Sequence, residues 1–436
     1  MVPSASDNRP LRARRSPAGR RGAAWRVLRT GAAGLGLFLA AGFHGARAES
    51  VFAREGIGEW LDGYDVRGFA LGSTGIGVVD PNNFTALNPA ATAFSASTLG
   101  HVSLTSLICW TGDGDATARR ASTDLSGLGL HVDLPEHLGV RLLLEPATNA
   151  SYAFEQSIPT GSEDIERDVV REEGSRGLTR YLAGLSWRGG RNWALGVSLG
   201  VLAGSLVDRT SFIFEDSAAA AGYSNGEDRR ELRFHARPYY GCGFLARPTP
   251  RVSLGGFFSS GASPQVTETY RSFADQAYTL DTRRVKLPLA MGAGAGLLIA
   301  PRWRLSADLV WRKWEDFTLD GRELPAPGVG PFRNTLRWGV GIERVLESRK
   351  GEGLLSAIAW RAGFTWIPWY VLDASGDGVD EWRVSAGAAV PIQRERGSID
   401  VALAYGRRGS LEQNGLEEEY LSLAFAFTFA RVLREY

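Results

Sequence analysis

With only two cysteines in 436 residues, the chain holds neither a disulfide framework nor a four-cysteine zinc site. Its five histidines, at positions 44, 101, 131, 137 and 235, are scattered without metal-ligand spacing, so no metal and no cofactor is expected. Nine of the 49 basic residues fall in positions 1–48 beside a single acid, which leaves 40 basic against 47 acidic residues in the remainder. An acidic remainder with no Lys/Arg block argues against nucleic acid as a partner. Beyond the first 50 positions there is no run of about 18 apolar residues, the length that a membrane-crossing helix needs. A polytopic helical membrane protein is thereby excluded.

Catalytic signatures are equally thin. Gly196-Val-Ser-Leu-Gly200 spells G-x-S-x-G, but that chemistry needs its serine on a sharp strand-to-helix elbow, and Ser198 lies inside an alternating stretch. His235 belongs near the opposite end of the neighbouring segment, on the order of 20 Å away at about 3.3 Å per residue, beyond hydrogen-bond reach. Gly292 to Gly296 has no strand-helix-strand unit around it to make a phosphate loop. An EF-type calcium loop starting at Asp373 needs a bidentate acid at its twelfth position, and Val384 stands there; a solvated turn explains Asp373, Asp377 and Asp380. No enzyme activity is expected.

What the chain does have begins with export features. Arg20, Arg21, Arg26 and Arg29 precede the apolar run Gly31 to Phe43, and Ala46-Arg47-Ala48 follows. A basic start, a short apolar core and an A-x-A site make residues 1–48 a secretory signal peptide, cleaved after Ala48. The 54 glycines, near one residue in eight, then favour strands and turns over helices.

From residue 99 onward the pattern has period two, the signature of strands with unlike faces. Leu421, Leu423, Phe425, Phe427 and Phe429 alternate with Ser422, Ala424, Ala426 and Thr428. Trp193 to Val201 and Trp303 to Trp311 alternate in the same way. Fourteen such segments follow one another, the third at 138–154, the seventh at 251–270, the eighth at 280–300 and the ninth at 302–318. Even-numbered segments end in short connections and odd-numbered ones in longer polar loops, as in bacterial outer-membrane barrels. Trp187, Trp193 and Trp303 fall beside the short turns, and Trp110, Trp311 and Trp314 toward the longer loops, as two interfacial girdles would require. The fold class is therefore all-β: a 14-stranded antiparallel transmembrane β-barrel over 99–436. A soluble all-β protein with tryptophan in its core is the other fold compatible with the alternation.

Residues 49–98 break the pattern. They carry Gly68, Gly72, Gly75 and Gly77, and then Asp80-Pro-Asn-Asn-Phe-Thr-Ala-Leu-Asn-Pro-Ala90. So many turn formers ahead of a closed barrel either hang outside it or fold into the lumen. Phe69, Ile76, Val78, Phe84 and Leu87 favour the interior.

Gly72-Ser-Thr-Gly-Ile-Gly77, with Asp80-Pro81 and Leu87-Asn-Pro-Ala90, resembles the N-terminal plug of the FadL/TodX family of outer-membrane channels for long-chain fatty acids and other hydrophobic compounds. The stretch Leu403 to Ser410, with Asn414-Gly-Leu and Tyr420 to Phe429, is similar to less-characterised barrels of that group. The resemblance implies a cleaved signal, a lumenal hatch over 49–98 and a fourteen-stranded barrel in the outer membrane of a Gram-negative type of cell. Gly72, Gly75, Gly77, Phe84, Leu87, Asn88, Pro89 and Ala90 are then hatch residues. It implies passive uptake of hydrophobic small molecules such as long-chain fatty acids, with outer-membrane lipid and the barrel-assembly machinery as partners. The same signature also resembles the barrel of the type IX secretion apparatus, which implies an alternative: a structural or accessory barrel for protein secretion, without small-molecule transport.

Pro146 interrupts Leu142 to Asn149, and a proline in a sheet cannot donate to the ladder, so it marks a bulge or an unpaired edge. The resemblance implies a kinked third strand that opens the wall toward the membrane. On that basis Glu145 and Pro146 mark a lateral gate; a plain bulge near the rim is the other reading.

Overall fold

The computed structural model describes residues 50–80, 82–95, 97–158, 168–214, 225–273, 278–279, 282–319, 332–345, 358–373, 375–392 and 397–431. The signal peptide expected at 1–48 lies outside them.

Fourteen antiparallel strands close into one barrel. They are β1 (Thr98–Gly112), β2 (Thr117–Asp133), β3 (Leu138–Pro146 with Tyr152–Ile158), β4 (Asp168–Arg188), β5 (Trp193–Phe214), β6 (Gly226–Ala246) and β7 (Val252–Ser259 with Gln265–Arg271). Then come β8 (Arg283–Lys286 with Ala290–Ala300), β9 (Trp303–Arg312 with Thr318–Leu319), β10 (Thr335–Arg344), β11 (Ala359–Leu372), β12 (Gly378–Ile392), β13 (Gly397–Ser410) and β14 (Leu416–Arg431). Closure is made by β1 on β14, from Thr98↔Arg431 to Gly112↔Glu417. No described helix is long and apolar enough to cross a membrane.

The alternation decides which face is which. Leu423 is 50% exposed and Ser422 2%, and the same in-out step runs from Leu421 to Phe429. Leu195, Val197, Leu199, Leu305 and Leu309 join this outward band of large apolar side chains. Such a band, outside a ladder without edges, suits a lipid surround. Trp187 and Trp193 meet edge to face at 5.2 Å at one rim and are exposed, as are Trp303 and Trp110. Trp314 departs from the girdle expectation: it is 1% exposed and points inward, because β9 leaves the ladder at 313–317.

Interruptions of this kind were not visible as breaks in the period-two pattern. β3 stops at 147–151, β7 at 260–264 and β8 at 287–289. Pro264 and Pro288 sit in two of these gaps, where a missing N–H breaks no ladder bond. The connection after β1 is only 113–116, shorter than the pattern of odd loops suggested. Cys109 is buried, Cys242 is exposed, and both are free.

Candidate functional site

Residues 50–95 run through the barrel interior and are mostly buried. The run starts near the loop end, where Ser50 N donates to Ser151 O at 3.2 Å and Ser50 Oγ to Glu418 at 2.7 Å. It finishes at the short-turn end, where β1 begins. Asp65 organises the middle: one carboxylate oxygen caps α1 (Val66–Ala70) by accepting from Gly68 N at 2.7 Å, and the other accepts from Phe84 N at 2.8 Å.

The glycines set the contact distance. Gly72, at φ 67°, lies against the Gly339 and Gly363 backbones, and Gly77 against Gly294. A Cβ on either would collide with strand backbone. Gly75 N and Ile76 N both donate to Asp308 on β9, at 2.8 and 2.9 Å. Phe84 stacks on His101 at 5.0 Å, and Leu87 packs on the cluster of Ile76, Phe257, Ala290 and Val310. Asn88 donates from Nδ2 to Ile76 O at 2.8 Å and Phe244 O at 2.9 Å, while its Oδ1 accepts from Ala90 N. Pro89 lies against Gly196 and Gly243, and Ala90 is fully buried with Ala194 and Leu245.

Charge pins the segment to β9–β14. Arg67 and Arg304 both bind Glu343, at 2.5 and 2.6 Å, and both approach Asp80. Burial pushes the Asp80 carboxyl up, but these two guanidiniums outweigh it and hold it down at about 2. Asp62 sits between Arg312 and Arg337, each at 2.6 Å. Glu59 meets Arg408 at 3.0 Å, and burial still drives its carboxyl up to about 6. Buried pairs of this kind fix a position more than they add stability.

The opposite half of the wall differs. The inward side chains of β4–β7 include Leu178, Leu182, Leu202, Leu206, Phe234 and Val266, all buried in one apolar cluster. The lumen wall on this side is thus bulky and apolar. Above the segment opens a cavity of about 1320 Å³, floored by Val51–Gly58 and walled by Leu206, Leu232, Phe234, Val285 and Phe317. Tyr370 clamps the floor, accepting from Ile57 N at 2.9 Å and donating to Gly58 O at 2.9 Å. Its ring stacks on Trp314 at 3.9 Å.

One side of this cavity reaches a gap in the wall. The β2–β3 ladder runs from Asp133↔Gly139 to Leu128↔Leu144 and stops there. Among the described residues, Thr117–Gly127 of β2 has no ladder partner on β3, although it stays paired with β1. Both lips of this seam line the cavity: Thr117, Ala118 and Arg120 on β2, Tyr152, Ala153 and Phe154 on β3. Pro146 is the last residue of the first half of β3, at the point where the two strands part. Glu145 beside it points into the lumen and is buried, paired with Arg180 at 2.5 Å.

Other residues singled out in the sequence stay apart from this site. Ser198 is mid-strand opposite Gly241, and His235 bonds Thr267 Oγ1 at 2.7 Å. Asp373 accepts from Ser375 N and Asp377 N, closing an ordinary turn. Missed altogether were Ser50, Glu59, Trp60 and Tyr370, which anchor the segment beneath the cavity, and Arg120, which lines the cavity at the seam. Their partners lie up to 368 positions away, as in Ser50–Glu418, so no local spacing announces them.

A family model described as BamG matches residues 257–431. No curated protein matches the chain in sequence. A solved Pseudomonas aeruginosa FadL homologue aligns with TM-score 0.57 at 15% identity, covering 85% of this chain and 99% of its own. The Pseudomonas putida toluene transporter TodX aligns with TM-score 0.52 at 13% identity, covering 86% and 100%. A solved structure named as the CymD monoaromatic hydrocarbon channel gives 0.51 at 14% identity, covering 85% and 98%. The chain has the FadL/TodX fold, a closed barrel of fourteen antiparallel strands.

Proposed function

We propose that this chain is an outer-membrane channel for passive uptake of hydrophobic small molecules, which enter the vestibule and leave sideways through the β2–β3 seam. The observation that carries the reading is the cavity of about 1320 Å³ whose wall includes both lips of an unpaired seam. A cargo released there passes into lipid and avoids exposure to water, worth about 25 cal/mol per Å² of apolar surface. Residues 50–95 act as the hatch that closes the axial route, and the barrel-assembly machinery places the chain in the outer membrane. No cofactor, energy source or catalytic step enters this scheme.

Long-chain fatty acids are the member of this class that the sequence resemblance names. The vestibule favours them as neutral acids over anions. Glu173, Asp113, Asp228 and Asp373 line it without a cationic partner of their own among the described ion pairs, while Arg54, Arg171 and Arg230 are held by Glu172, Glu155 and Glu268, which leaves Arg120 as the one lining arginine without an acid among those pairs. The test uses vesicles with a lipopolysaccharide outer leaflet, with and without the protein. Dodecanol is expected to enter faster with the protein, dodecanoate less so, and sucrose not at all. A protein that leaves dodecanol entry unchanged overturns the proposal.

A further inference from the structure

Strand β3 does not simply stop at Pro146. It bends inward while keeping its contact with β4: Ala147 N donates to Leu178 O at 2.7 Å, Ala150 N donates to Arg176 O at 2.9 Å, and pairing resumes at Tyr152↔Gly174. The last pair before the bend is Pro146↔Thr179, so the strand carries one extra residue, as a bulge does. β2 does not follow, because its outer half remains locked to β1 through Leu104↔Leu125 and onward to Gly112↔Thr117.

The edge that β3 turns away from β2 is occupied. Leu61 N donates to Ala147 O at 2.9 Å, Trp60 pairs with Thr148, and Glu59 pairs with Asn149. Ser50 N closes the row on Ser151 O. Extending the Leu128↔Leu144 register by the same step would set Thr148 opposite Asp124 and Asn149 opposite Thr123. A strand edge has room for one neighbouring strand, and each N–H along it donates to one partner. The backbone groups of 147–149 that face away from β4 therefore serve either Glu59–Leu61 or β2.

We infer that the N-terminal segment and β2 compete for this one edge of β3, so that the seam stays open while Glu59–Leu61 occupies it and zips shut when that segment withdraws. The segment is well placed to pull. On its far side Tyr370 holds Ile57 and Gly58, Arg408 holds Glu59, and Arg312 and Arg337 hold Asp62. Val51–Gly58, directly before it in the chain, floors the vestibule, so anything entering the cavity touches the stretch that leads into the element that sets the seam. The consequence runs against intuition: removing part of the plug should narrow the lateral path. The gating meaning rests on the seam being the exit, whereas the exchange of partners does not.

The experiment compares the full mature chain with a chain lacking residues 50–61, and with Leu61→Pro, which removes one donor and leaves the rest of the segment in place. Amide hydrogen exchange is followed over 117–127 in detergent-held barrels whose folding is verified by heat-modifiable gel mobility. Seam-facing amides of β2 are expected to exchange at least tenfold more slowly in both variants, and dodecanol uptake to fall several-fold. Unchanged or faster exchange in the folded Leu61→Pro barrel overturns the competition, whatever the deletion does. Slower exchange with unchanged uptake supports the competition and removes the seam as the exit. Slower exchange with no uptake even by the full chain supports it and removes the channel reading.

Discussion

Arg120 on β2 donates through its guanidinium to the backbone carbonyl of Ala153 on β3, so this side chain bridges the part of the wall where the ladder is missing. It acts as a bolt across the seam. Arg120→Ala should raise the rate of dodecanol entry several-fold and leave sucrose excluded, since the hatch below is untouched. Equal rates for the two proteins in lipopolysaccharide-coated vesicles would show that the bolt bears no traffic.

The outward face should reject charge. Leu423 is half exposed in the middle of β14, opposite Leu403 and Ser106. Leu423→Arg places a cation near the membrane midplane at about 2 to 4 kcal/mol, while Leu423→Phe changes little. The folded fraction after refolding into lipid, read by gel mobility before and after boiling, should drop for arginine alone. Equal refolding of both variants would contradict a lipid-facing parity.

Asp80 supplies a pH signature for the packing of residues 50–95 inside the barrel. Its carboxyl is held at about 2 against an ordinary 3.8 by Arg67 and Arg304, despite burial. A depressed carboxyl stabilises the folded state fully above its ordinary value and loses that contribution as pH falls through its folded value, so the window is roughly pH 4 down to 2. The difference is about 2 kcal/mol at neutral pH. The urea concentration at which a protease first cuts within 50–95 should rise between pH 7 and 4.5, as buried Glu59 takes up its proton, and fall below pH 4 as Asp80 does. Asp80→Asn should be cut at lower urea at neutral pH and show a weaker acid dependence; matching profiles would mean that the cluster does not hold the hatch.

The barrel was legible because its cause is local. Leu421, Leu423 and Phe425 against Ser422 and Ala424 state the two faces within nine residues, and any sheet must obey that period. Gly72 and Gly77 stood out as turn formers and through the family resemblance; that they meet inward-facing strand glycines is a contact no local pattern announces. Trp314 was misread because an inward loop and a rim girdle both place tryptophan near a strand end. Leu178, Leu182, Leu202 and Leu206 face inward within strands also apolar outside, which erases the contrast that marks a lumen. Pro146 marked where β3 bends. The partner that takes the freed edge was beyond reach, because Trp60 and Thr148 share no sequence signal.

The claim that cargo leaves through the seam is tested most directly by sealing it. With Cys109 and Cys242 replaced by serine, Arg120→Cys with Ala153→Cys would be joined across the gap by a short bis-maleimide. Thr105→Cys with Asp124→Cys, directly opposite each other on the β1–β2 ladder, is the control. Uptake of radiolabelled dodecanol into lipopolysaccharide-coated vesicles should fall to the protein-free rate in the sealed barrel and recover in the same protein left unlinked. The control link should not alter it. Undiminished uptake through a barrel shown by mass spectrometry to be fully linked would contradict a lateral exit between β2 and β3.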